Sequence, residues 1–151
     1  MPDLFDARHR AELLRRIDTL APDVPGRWGR MNVHQAVCHM ADAFRMTSGD
    51  RPLPDQSNLL LRTVIRFVAL HTPLPWPKGS PTAPGLNQQR EGTPPGDFAR
   101  DVAALKALVE AFAATGGKGL HPHIAFGALS PREWGRWAWR HTDHHLRQFG
   151  A

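Results

Sequence analysis

Residues 130–148 read SPREWGRWAWRHTDHHLRQ and open with the signature of a helix start. Ser130 can cap, Pro131 suits the first helical position, and Glu133 stands where its carboxylate can return a hydrogen bond to the cap. Trp134, Trp137 and Ala138 then mark an apolar face that His141, His145 and Gln148 continue turn by turn. His141 and His145 are four residues apart, the spacing at which two imidazoles on one helix can reach a single metal ion. Because that face points inward, a bare charge there would be costly and coordination would be favoured.

Four further segments read as helix. The first runs from Asp3 to Leu20, with Leu13, Leu14, Ile17 and Leu20 on one face. The second starts at the cap Asn32, with Gln35 completing a capping box, and Ser48-Gly49-Asp50 stops it. Its apolar stripe is Val33, Val37, Met40 and Phe44. A shorter third covers Ser57 to Leu70, where Leu60, Leu61, Val64, Ile65 and Val68 are expected inside and Arg62 and Arg66 outside. The fourth begins near Asp97 and ends at Gly116-Gly117. Between the third and fourth lies His71 to Gly96, a long segment rich in proline; Leu74 and Trp76 argue that it packs and covers something. With no alternating strand pattern, the fold class is all-α. The expected architecture is an up-and-down bundle of four helices with an extra short helix, forming one domain over residues 1–151.

The nearest approach to a membrane span, Leu59 to Leu70, is interrupted by two arginines, so no membrane partner is expected. Cys38 is the single cysteine and no secretory signal is legible, which makes a cytoplasmic setting the default. The net charge of +5 comes from scattered arginines with no run longer than two, which argues against nucleic acid as a partner.

Two ligands do not make a site, and in a bundle the others come from a facing helix. The second helix offers His34 and His39, about 140° apart around the axis. His39 lies toward the inward stripe and is the choice, with His34 in reserve; His144, three residues after His141, is an alternative to His145. Cys38 reads as a small core residue. Trp28, Trp134 and Trp137 are candidates to line a pocket mouth, with Trp76 closing it. His9 and His71 read as surface or helix-end residues, and His121 and His123 as loop residues flanking Pro122.

The segment RHTDHHLRQFG at residues 140–150 resembles the DinB-like superfamily of metal-dependent enzymes, and within it a branch described as a domain of unknown function. Trp28 to Met31, His34-Gln35 and Cys38 to Asp42 resemble that family's first histidine motif. Pro77-Lys78-Gly79, His121-Pro122 and Phe126-Gly127 are similar to landmarks of the branch, although His123-Ile124-Ala125 separates the last two more than expected. The resemblance implies a four-helix bundle whose metal ligands are His39, His141 and His145. It also implies transferase or isomerase chemistry with a low-molecular-weight thiol.

Three neutral imidazoles leave coordination positions open, as catalytic sites do, and zinc or nickel is the divalent ion such ligands suit best. The leading expectation is a thiol-dependent transferase or a hydrolase acting on a small molecule. The alternative is a non-enzymatic bundle, a binding or stress-response protein, and either could be a homodimer. Asp42, Gln148 and Asn87 are candidates to orient the ligand rings, whereas Asp143 points elsewhere on its helix.

Overall fold

The computed structural model describes residues 1–151 as an all-α chain of five helices without a strand; one isolated antiparallel bridge joins His123 to Gly127. The helices are α1 (Ala7–Ile17), α2 (Val33–Ser48), α3 (Arg66–His71), α4 (Phe98–Ala114) and α5 (Pro131–Gln148). A π turn, Leu61–Ile65, leads into α3, and Pro84–Leu86 form a single 3-10 turn.

The caps explain where the elements begin. Ser130 and Glu133 exchange hydrogen bonds at the head of α5, and Asn32 and Gln35 do the same at α2. Each box satisfies two N–H groups that the helix itself leaves without partners. Gly49, at φ +84, closes α2 in a conformation that other residues rarely adopt. Helix α1 is shorter than the span Asp3 to Leu20. The Asp3 carboxylate accepts the N–H of Phe5 in a local turn, so the helix is capped by Asp6 instead.

Helix α2 is the central element: 12 of its 16 residues are buried, and it packs against both α4 and α5. Helix α1 packs against α5 and α4, and α3 against α5. Leu13, Val37, Phe44, Leu105, Val109, Phe112, Trp134 and Leu146 fall in one continuous apolar core drawn from these helices. Arg16 of α1 is bonded to Asp143 of α5 at 2.8 Å, which explains why that aspartate faces away from the neighbouring histidines.

The third segment departs from expectation in both extent and orientation. Asn58, not Ser57, caps it through the N–H of Leu61, while Ser57 bonds Asp55. Its apolar residues face out: Leu60, Val64, Ile65 and Val68 are exposed, and only Leu70 is buried. Arg66 points the other way, while Arg62 stays half exposed. Arg66 makes a two-pronged bond to Glu133 at 2.7 and 2.6 Å, and Arg62 reaches back to Asp55 and Ser57. A paired guanidinium can face the protein where an unpaired one could not. Burial alone would raise the Glu133 carboxyl, but Arg66, the Ser130 N–H and His71 outweigh it and hold it well below the usual carboxylate range. His71 is therefore part of this ion-pair cluster rather than a free surface residue.

The proline-rich segment is strapped onto α2. Asp42 is fully buried, and its carboxylate accepts from Gln88, the Thr93 N–H, the Thr93 hydroxyl and Arg45. Arg51 adds bonds to the Gly85 and Glu91 carbonyls and to Thr93. This fixes residues 84–93 over the face of α2 that carries His39.

Candidate metal centre

The end of α5 and the middle of α2 bring His39, His141 and His145 together. One nitrogen from each lies within 4.8 Å of the other two. His39 Nε2 and His141 Nε2 are 3.1 Å apart, and the ring centroids are separated by 5.1 Å (His39 to His141), 4.7 Å (His39 to His145) and 4.8 Å (His141 to His145). His39 and His145 are buried, and His141 is partly so, stacked face to face on Trp137.

The far nitrogens settle which side of each ring is free. His39 Nδ1–H donates to the Leu86 carbonyl at 2.8 Å, and His145 Nδ1–H donates to Gln148 Oε1 at 3.0 Å. A neutral imidazole has one proton, so Nε2 of both rings must present a lone pair inward. Gln148 is itself held, because its amide donates to the Trp28 carbonyl at 2.7 Å. Gly29 makes room for this: it sits at φ +79, and a Cβ there would lie 2.8 Å from the Gln148 amide nitrogen. His141 Nδ1 is buried and has no partner.

Burial disfavours the charged imidazolium in all three rings and pushes each pKa below the ordinary value; in His141 and His145 the neighbouring rings add to the effect and the displacement is large. The cluster is thus a set of neutral nitrogen donors aimed at one point, which fits a late first-row divalent cation.

Of the expected orienting groups, Gln148 does hold the ring of His145. Asp42 does not: its carboxylate is consumed by the strap. Asn87 does not either; the group on His39 is the carbonyl of its neighbour Leu86, which a search for polar side chains cannot find. The reserve residue His34 lies outside the cluster and bonds Asp101 of α4 at 2.7 Å, and the Cys38 thiol faces the same aspartate at 3.7 Å. Burial, then the Asp101 charge, raises that thiol to about 12. His144 is half-buried beside the cluster, its ring 5.2 Å from His145, and burial lowers its pKa.

The centre opens into a cavity of about 740 Å³. Trp28, Trp76 and Trp137 line it as expected, whereas Trp134 does not. Trp76, from the proline-rich segment, lies 6.2 Å from His141 and 6.3 Å from His144, and its indole N–H donates to the Ala69 carbonyl. No carboxylate lines the cavity.

His123 is the site residue that sequence reasoning passed over. It lines the cavity, buried among Phe126, Trp134 and Trp137, and its Nδ1 accepts the N–H groups of Ala125 and Phe126 at 3.1 and 3.2 Å. With Nδ1 an acceptor, the ring must carry its proton on Nε2. Burial lowers its pKa to about 3. The sequence signal was the widened interval between His121-Pro122 and Phe126-Gly127.

Comparison with known proteins matches residues 2–151 to the model of the protein family of unknown function DUF1569. The chain belongs to the DUF1569 family. No curated protein and no solved structure matches it. What this DUF1569 member offers chemically therefore rests on its own residues. It contributes a cluster of three imidazoles, two buried and one partly so, open to a cavity, two further imidazoles at the wall, and no acid in the lining. No helix is long and apolar enough to cross a membrane.

Proposed function

We propose that the chain is a metal-dependent enzyme on a DinB-like up-and-down four-helix bundle, with α1, α2, α4 and α5 as its long helices. One zinc or nickel ion would be held by His39, His141 and His145. One observation carries this reading: two of the three rings have their outer N–H groups fixed by Leu86 and Gln148, so their Nε2 lone pairs turn inward. With His141 protonated at Nδ1, its Nε2 and that of His39 face each other as lone pairs at 3.1 Å, which repel unless a cation lies between them.

When bound, such an ion supplies Lewis acidity, polarising a substrate carbonyl or lowering the pKa of a thiol or water. The chain does the rest. Trp28, Trp76 and Trp137 give the cavity flat apolar walls for a small organic substrate. The protein's own thiol points toward Asp101 and is absent from the lining, so a sulfur nucleophile must arrive with a small thiol cosubstrate; the other nucleophile available is water. His144 is the proton acceptor at the wall, since no carboxylate competes for that role. His123 offers a neutral N–H to an oxygen that gains negative charge. Thiol-dependent transfer or hydrolysis is the reaction class these parts serve.

Elemental analysis of tag-free protein tests the centre. About one ion per chain is expected, lost in His39→Ala and His145→Ala and released on acidification only well below the ordinary imidazole range, because burial depresses all three ring pKa values. Protein that stays metal-free after incubation with zinc and with nickel overturns the reading. One observation favours a second reading, a non-enzymatic bundle. The 3.1 Å contact is also the length of an ordinary hydrogen bond, if His141 carries its proton on Nε2. Added zinc would then leave the melting curve unchanged, whereas a metal site raises it by mass action.

A further inference from the structure

The face that α3 and its π turn present to water is made of large apolar side chains. Leu59, Leu60, Val64, Phe67, Val68 and Leu74 are between 38% and 80% exposed. Residues 60, 64, 67 and 68 follow i, i+4, i+7, i+8, so they form one ridge along the helix rather than scattered contacts. Elsewhere in the fold such a stripe faces the core; here the inward side carries Arg66, paired with the buried Glu133, while Arg62 lies half exposed against Asp55 and Ser57.

At these exposures the ridge opens roughly 600–700 Å² of apolar surface, at or beyond the largest patch of about 300–600 Å² usual on a monomer. It is close to the roughly 800 Å² that each partner contributes to a standard interface. We infer that this ridge is the interface of a homodimer, paired with the same ridge of a second copy across a two-fold axis. Self-pairing requires a surface complementary to itself. An antiparallel pair of α3 helices supplies that, because apolar meets apolar along the ridge.

The cations around the ridge argue against a lipid surface as its cover. Arg62 is bonded to Asp55 and Ser57, Arg66 to Glu133, Arg136 to the Leu70 carbonyl, and Arg140 to the Thr72 and Leu74 carbonyls. A helix that lies on a membrane keeps its basic residues free for anionic headgroups. These are spent on the protein.

The inference is independent of the metal centre, and the tag-free full-length chain tests it. Light scattering at tens of micromolar protein is expected to give twice the 16.8 kDa chain mass. Leu60→Glu with Phe67→Glu, both exposed in the folded monomer, is expected to weaken association at least about 100-fold while leaving the far-UV circular dichroism native. Should that pair misfold, Val64→Cys gives a second reading, since near the two-fold it is expected to form a covalent dimer on mild oxidation. A monomeric wild type overturns the inference, as does a dimer that survives the double substitution. Wild-type monomer that co-sediments with phosphatidylcholine–phosphatidylglycerol vesicles would overturn it in favour of a membrane surface.

Discussion

Replacing Gln148 by leucine separates the outer support of the centre from its ligands. Gln148 is 2% exposed and makes two bonds: it accepts from His145 Nδ1 at 3.0 Å and donates to the Trp28 carbonyl at 2.7 Å. Leucine fills nearly the same space and leaves both partners unsatisfied. At about 1–3 kcal/mol for each buried orphan, the apo protein loses about 2–6 kcal/mol. For a chain of this size that lowers Tm by very roughly 5–25 °C. The ring of His145 is then free to turn or to move its proton to Nε2, the atom that would meet the ion. Loss of such a support weakens metal binding about 10–100-fold. Urea unfolding of the apo protein measures the first quantity, and competition for zinc against a chromophoric chelator measures the second. Zinc affinity within about twofold of wild type in a folded Gln148→Leu protein would refute the role assigned to this amide.

Other perturbations have equally definite outcomes. Asp42→Ala leaves the Gln88 amide and the Thr93 N–H and hydroxyl without their acceptor, and costs about 3–5 kcal/mol; limited proteolysis should then cut within residues 84–93. The apo protein should lose stability as pH falls below about 6.5. His39, His141 and His145 have depressed folded pKa values, so there the unfolded chain binds more protons and stability rises with pH. The slope is up to about 1.4 kcal/mol per pH unit for each ring, and equal urea midpoints at pH 7.5 and 5.5 would contradict it. Glu133→Gln removes a buried charge from Arg66 and His71 and should cost about 3 kcal/mol by urea unfolding, with α3 the first element to lose hydrogen-exchange protection.

Much of this molecule is legible in the chain because its signals are local. The boxes at Asn32 and Ser130, the glycine after α2 and the stripe along α5 are each decided within a few residues. Helical periodicity and the inward stripe favour His39, His141 and His145, the rings the fold brings together, but leave His34 and His144 open, and Gln148 stands out because it follows His145 by one turn. Signals that depend on distant partners are not found. The pattern of α3 shows that one face is apolar, but not which way that face turns. Its orientation is fixed by Glu133, 67 residues beyond Arg66. Leu86 escapes because a backbone carbonyl has no residue type, and His123 because the turn that buries it is irregular.

The packing of indoles on imidazoles gives the molecule an optical readout of its own. There is no tyrosine, so near-ultraviolet emission comes from five tryptophans alone. Trp137 lies parallel to the His141 ring at 5.3 Å, and Trp76 and Trp28 sit within 6.3 Å of His141 or His144. Three of the five emitters therefore touch rings whose electron density changes when a proton or a cation arrives. Intrinsic fluorescence of the unlabelled chain should track occupancy directly, and a Trp137→Phe protein should lose the largest share of the response.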